Sequence, residues 1–284
     1  MQIEIRRTQL TVNADKAYFA SQAVQYWALD SLLLAPKKKD KKNTLIELMP
    51  QSFPGRGFSL SGVLIEGQLD DLQGRYNINK LVDKKAIPQF TQFLLNVVPG
   101  IKRPLAAEIA LATHQWLSPY TPGKGQTAMD NYYLKLKPPY YPGHRLMISV
   151  GEFRLVRGVD AHVYQASVPY LAAIPSQKSK VNINTASIPV IQTLGAGLTE
   201  AQAKSIITER KRKPFEDSND FKTRMTKADL TVPAKHFTVV SEYFQSTAVV
   251  KTGRQRLIVY SQLQRSTMKK KVDVRVLKQS FNTP

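Results

Sequence analysis

Residues 3–34 read IEIRRTQLTVNADKAYFASQAVQYWALDSLLL, and no glycine or proline interrupts the stretch before Pro36. Unbroken segments of this length propagate as helix, because nothing in them removes a backbone donor or relaxes the turn. Leu10, Ala14, Ala17, Val24 and Trp27 fall near one stripe at three- and four-residue spacing. The stripe is narrow and rich in alanine, which suits a helix laid across a sheet or against neighbouring helices. The second half, with Tyr26-Trp27-Ala28-Leu29 and Leu32-Leu33-Leu34, is more apolar and is expected to be better buried. The helical pattern already runs at Ile3 with no capping residue ahead of it, as in a helix that continues upstream.

Such a helix needs a surface to cover, and the two ends of the chain supply strands. Ser59 to Leu69 is rich in Val, Leu and Ile and reads as strand. Glu242–Val250, Arg254–Leu263 and Lys271–Gln279 alternate and form an antiparallel meander. Lys251-Thr252-Gly253 joins the first pair, and Lys269-Lys270-Lys271 reads as the second hairpin turn. Between these ends lie helices broken by proline and glycine: Pro88–Val98, Leu105–Leu117, Val150–Leu155, Ala161–Val168, Ile188–Leu194 and Thr199–Arg212. A proline- and tyrosine-rich loop is expected from Ser118 to Arg145. The fold class is therefore α+β, a long N-terminal helix packed on an antiparallel sheet with a large inserted all-α domain. The expected boundaries are 1–82 for the first part, 83–233 for the insertion and 234–284 for the C-terminal strands.

The chain has 284 residues, 42% of them hydrophobic, with 12 Tyr and 11 Phe, enough to build a real core. The 41 Lys and Arg against 21 Asp and Glu give a net charge of +20, which favours anionic partners. Lys37-Lys38-Lys39-Asp40-Lys41-Lys42 is expected to be a solvated loop. No cysteine is present, so disulfides, thiolate metal sites and cysteine nucleophiles are excluded. No stretch approaches the ~20 apolar residues that span a bilayer. The four histidines, His114, His144, His162 and His236, are scattered without metal-binding spacing. Neither a nucleophile elbow nor a dinucleotide fingerprint appears. Gly123-Lys124-Gly125-Gln126-Thr127 lacks the glycine spacing of a phosphate loop and reads as a plain loop.

Leu194-Gly195-Ala196-Gly197-Leu198-Thr199, followed by Ile206-Ile207, Arg210 and Pro214-Phe215, resembles a helix-hairpin-helix unit. Such hairpins grip a phosphate through glycine amides and a helix N-terminus, so a nucleic-acid-binding module at 194–213, using Lys204, Arg210 and Lys211, is one functional reading. Several residues point the other way. Thr199 stands where a second glycine is expected, Gln202 completes a capping box with it, and Glu200 in the first turn repels a phosphate. Association with anionic lipid is a third reading of the charge.

The segment Gly67-Gln68-Leu69-Asp70-Asp71-Leu72-Gln73-Gly74-Arg75-Tyr76-Asn77-Ile78-Asn79 resembles a block of the K-type minor pseudopilins of type II secretion systems. Asp130-Asn131-Tyr132-Tyr133-Leu134 with Pro138-Pro139-Tyr140 is similar to that family's central loop. Ser149 to Gly158 and the stretch headed by Val181-Asn182-Ile183-Asn184-Thr185-Ala186 follow in family order. The resemblance implies a pilin-like helix on a sheet with a helical insertion, and a leader and membrane helix upstream of this chain. It implies the periplasmic domain of a single-pass inner-membrane protein in a Gram-negative bacterium. It further implies a cap on the tip of the pseudopilus, acting in assembly with the I- and J-type minor pseudopilins and without catalysis. Together with the helical stripe, it points to Leu10, Ala14, Ala17, Tyr18 and Val24 as a partner-binding face. Some members bind calcium on acidic residues that follow a Trp-Leu pair. Here Trp116-Leu117 is followed by Ser118-Pro119-Tyr120-Thr121-Pro122, with no carboxylate until Asp130. Calcium needs 6–8 oxygen ligands, so no cofactor is expected on this loop. Asp70, Asp71 and Asp130 are the remaining metal candidates.

Overall fold

A computed structural model of the chain describes residues 2–34, 51–54, 58–60, 62–120, 128–195, 197–226, 232–233, 235–268 and 271–283. The lysine-rich loop at 37–42, the first two residues of the 269–271 turn and the loop at 123–127 lie outside the described residues. The chain divides into two compact units, Met1–Leu72 with Val240–Pro284, and Gln73–Val239. The first unit ends sooner than residue 82, because Tyr76, Ile78 and Leu81 are buried in the core of the helical unit.

In the first unit, helix α1 (Gln2–Leu33) is followed by strands β1 (Gln51–Ser52), β2 (Phe58–Leu60) and β3 (Val63–Asp71). At 1.5 Å per residue α1 is about 48 Å long. The expected single strand from Ser59 is a hairpin of β2 on β3, turned at Gly62 with φ of 80°. The C-terminal meander consists of β8 (Tyr243–Thr252), β9 (Gln255–Met268) and β10 (Lys271–Phe281). The sheet order is β1-β3-β8-β9-β10, with β2 also on β3, and every pairing is antiparallel. Thr252 pairs with Gln255, so the tight turn is Gly253-Arg254 rather than 251–253; Gly253 supplies the positive φ of 56°.

Helix α1 buries Ala17, Ser21, Val24, Ala28 and Leu32. These positions recur every three or four residues and face Val63, Ile65, Ala248, Val250 and Val259, then Leu69, Phe244 and Leu263. The close approach is made possible by Gly67 in β3. A Cβ there would lie 2.5 Å from Val24 Cγ1 and 2.7 Å from Phe53 Cβ.

The helical unit contains α2 (Ile87–Val97), α3 (Arg103–Leu117), α4 (Ala128–Leu134), α5 (Ala161–Ser167), α6 (Ile188–Ile191), α7 (Glu200–Arg212) and α8 (Ser218–Thr226). Residues Val150–Leu155 form a 3-10 helix. Two short parallel bridges tie the unit: β4 (Tyr76–Asn77) with β5 (Leu171–Ala172), and β6 (Val181–Asn182) with β7 (Phe237–Thr238). Tyr76, Phe90 and Phe93 stack at 5.3–5.5 Å in the first half. Phe221 lies 5.0 Å from Phe215 and 4.5 Å from Phe237 in the second. Helices α4 and α8 were not expected: α4 lies inside the proline-rich stretch, and the mainly polar α8 buries only Phe221 and Met225.

Gly67→Ala should destabilise the first unit by about 1–3 kcal/mol in urea unfolding, through overpacking against Val24. Gly62→Ala, which meets nothing within 4 Å, should cost about 1 kcal/mol through backbone strain alone. Equal losses would show that helix–sheet approach is not limiting at Gly67.

Candidate functional site

The stripe on α1 keeps one phase along the helix, at positions 10, 14, 17, 21, 24, 28 and 32. The sheet covers it only from Ala17 onward. Ala17 and Val24, expected to meet neighbouring subunits, are 2% and 0% exposed and are core residues of their own unit. Leu10 is 49% exposed, and Ala14 and Tyr18 are also at the surface. The Tyr18 ring lies 6.2 Å from that of Phe281 at the end of β10. Ile3, seven residues before Leu10, continues the same face, while Ile5, Val12 and Phe19 are exposed on other faces of the helix. The apolar residues of α1 thus outrun its own sheet, and an isolated exposed helix gains little stability alone.

The hairpin forms where expected, and its chemistry is directed inward. Thr199 caps α7 in a complete capping box with Gln202. Gly197 N donates to Leu194 O, Leu198 N to Gln192 O and Thr199 N to Gln202 Oε1. Amides that a phosphate would use are therefore already occupied. Arg210 donates to Ile183 O and Ala186 O at 2.7 and 2.6 Å, and burial lowers its pKa to about 10. Lys204 lies 2.6 Å from Glu200, whose carboxyl it holds below the usual carboxylate range. Of the three cations singled out for nucleic acid, only Lys211 is both exposed and without an ion partner among the described residues.

The two Asn-x-Asn stretches quoted for the resemblance do equivalent jobs. Asn77 Oδ1 accepts from Asn79 N, and Asn182 Oδ1 accepts from Asn184 N. Asn79 then donates to Met147 O and Ile174 O and accepts from Met147 N. Asn184 donates to Phe215 O and accepts from Phe215 N. All four are at least 98% buried and satisfy backbone groups of loops that lack regular pairing. The repetition of Asn-Ile-Asn was the available signal for this equivalence. In the second half, Arg224 of α8 pairs with Glu209 at 3.0 Å and lies 4.3 Å above the Phe215 ring. Asp217, just ahead of α8, accepts from Asn219 N and Asp220 N. That N-terminal cap was readable from Asp217-Ser218-Asn219-Asp220.

The acidic candidates are not assembled into a metal centre. Asp70 and Asp71 belong to β3 and Asp130 to α4 of the other unit. Asp70 accepts from Gln68 Nε2, Asp71 from Ser241 Oγ, and the buried Asp130 lies 3.0 Å from His144 Nε2. Among the described residues no group of three or more His, Cys, Asp or Glu is placed to hold an ion. No helix among them is long and apolar enough to cross a membrane.

A long helix laid on an antiparallel sheet, with a helical unit inserted between its strands, defines a pilin-like α+β subunit. Two family models described as type II secretion system (T2SS), protein K match residues 74–176 and 181–239, together more than half of the chain. The chain belongs to the type II secretion protein K family, whose members are minor pseudopilins, structural components of a secretion machine. The type II secretion system protein K of Pseudomonas aeruginosa is 30% identical over 204 residues, covering 70% of this chain and 60% of that protein. That of Aeromonas hydrophila is 27% identical over 277 residues, covering 90% of this chain and 82% of its own length. A chain from the crystal structure of the GspK-GspI-GspJ complex of enterotoxigenic Escherichia coli superposes with a TM-score of 0.78. It is 23% identical and matches over 98% of this chain and all of that one, which establishes the shared fold.

Asn184→Ala should lower unfolding stability by roughly 1–3 kcal/mol, since it strands Phe215 N and O in a buried site. Asn79→Ala should cost a similar amount, by leaving Met147 and Ile174 unpaired. Exposed Asn219→Ala, by contrast, should change stability by less than about 0.5 kcal/mol. Differential scanning fluorimetry with and without a chelator should give melting temperatures within about 1 °C if no ion contributes folding free energy, as the lack of an ion-binding group among the described residues predicts.

Proposed function

We propose that this chain is the periplasmic part of a minor pseudopilin that caps the tip of a type II secretion pseudopilus. It acts in assembly and export together with the I- and J-type minor pseudopilins. Its parent protein is anchored in the inner membrane of a Gram-negative bacterium by a helix upstream of this chain. Its work is done by surfaces, with no catalytic residue and no cofactor.

The observation that carries this reading is the uncovered part of the α1 stripe around Leu10, Ala14 and Tyr18, in a chain of the protein K family. Burying a few such side chains at roughly 25 cal/mol per Å² is the ordinary driving force of subunit association. The solved relative whose fold this chain shares was crystallised as a complex of K, I and J subunits, which supports the same partners here. The inward-turned hairpin amides weigh against the nucleic-acid reading.

Size-exclusion chromatography with light scattering, on this protein mixed with the soluble I- and J-type subunits, should show a complex of all three. Ala14→Glu or Leu10→Glu should weaken it by about tenfold or more, while Lys211→Glu leaves it unchanged. A gel shift with duplex DNA at physiological salt should show no retardation. Retardation without a ternary complex would overturn the proposal.

A further inference from the structure

In the helical unit, every large apolar side chain that is exposed among the described residues lies between Leu105 and Leu155. Among the described residues of the second half, 181–239, no such side chain is exposed. Printed contacts link part of this surface into one patch. Arg157 lies 3.3 Å from Glu108 on α3 and 5.4 Å from the centre of the Tyr132 ring on α4. Gly158, next in the chain, faces Ile109 and Leu105; a Cβ there would lie 3.7 Å from Leu105 Cδ1. Tyr132 stands edge-on to buried Tyr133 at 5.2 Å, and Tyr133 contacts Tyr140 at 5.3 Å. The Tyr140 hydroxyl donates to Leu155 O at 2.9 Å. The backbone of Arg157 donates to the Tyr133 hydroxyl at 2.9 Å, so the surface residues rest on a rigid aromatic base.

The uncompensated charge on this patch has one sign. Its carboxylates are already engaged: Glu108 with Arg157 and Glu152 with Arg145. Lys135 and Lys137, on the turn between Tyr132 and Tyr140, are exposed and have no carboxylate partner among the described residues. The same holds for Arg154, beside Leu155. Tyr, Leu and Arg at the centre with unpaired cations at the rim form the composition of a protein-binding surface that selects an acidic partner.

We infer that the patch centred on Leu105, Tyr132, Leu155 and Arg157 docks an acidic protein segment that carries aliphatic or aromatic anchors. This surface lies on the helical unit and makes no use of α1, so it is separate from the assembly face proposed above. The segment would set its anchors against Tyr132 and Leu155 and its carboxylates against Lys135, Lys137 and Arg154.

The test is an array of 15-residue peptides tiling the periplasmic regions of the same secretion machine and its exported proteins, probed with the whole chain. Bound peptides should be enriched in Asp and Glu and contain Leu, Phe, Tyr or Trp. Their affinity should fall about tenfold in the Lys135→Glu/Arg154→Glu variant, again in Tyr132→Ala, and with rising salt. Circular dichroism and ternary-complex formation with the I- and J-type subunits should be unchanged in both variants, which separates this surface from the assembly face. Binding without acidic enrichment, no binding at all, or equal binding by both variants would overturn the inference. So would loss of binding to phosphatidylglycerol vesicles in these variants with no effect on peptides, which would make the patch a membrane surface.

Discussion

The helical unit depends on a constraint that apolar packing alone cannot meet: buried loop backbone must find hydrogen-bond partners. Asn79 and Asn184 meet it by offering a donor and an acceptor from one side chain to a loop elsewhere in the chain. Asn77 and Asn182 hold those asparagines in position from two residues upstream. Each of the two parallel bridges ends at one of these clasps, at Asn77 opposite Ala172 and at Asn182 opposite Thr238. A side chain with only one polar function would leave either an N–H or a C=O stranded at a buried site. The aromatic clusters around Phe93 and Phe221 can then close over loops that are already satisfied.

The boundaries of the two matched family stretches, 74–176 and 181–239, fall at these clasps. Each half therefore carries its own asparagine anchor and its own aromatic core, although a single continuous cluster of buried residues joins them. The described residues of the two halves differ in what they show to solvent. One displays Tyr, Leu and Ile between Leu105 and Leu155, while the other presents a polar surface on which several charges pair locally, as Lys204 does with Glu200 and Arg224 with Glu209.

Much of this architecture was legible in the sequence, for physical reasons that vary from element to element. Helix α1 was readable because no breaker interrupts it, and the meander because Val, Leu and Ile alternate with polar residues along β8 and β9. The Thr199–Gln202 box marked the start of α7 to the residue. Helix α4 was obscured because prolines at 119, 122, 138 and 139 dominate the composition around it, whereas Met129 and Tyr133 bury its inner face. The strand expected from Ser59 was a hairpin because Gly62 takes a conformation that a pattern of apolar letters does not encode. For the surface on α1, periodicity revealed the stripe but not where the sheet would stop. Ala17 and Val24 look the same as Leu10 and Ala14 in sequence, and only the extent of β3, β8 and β9 separates core from surface.

That stripe has a mechanical consequence. A straight helix carries one rotational phase along its length, so the face presented at Leu10 and Ala14 is aimed by the packing of Val24 into the notch at Gly67. Inserting a single residue between Ala14 and Ala17 would leave the sheet-bound half in place and swing the upstream half by about 100°. The core contact thus acts as an indexing pin for a surface about 15–21 Å away along the helix axis. The first unit can change its outward contacts residue by residue, yet it cannot shift them around the helix without losing the register of its own core.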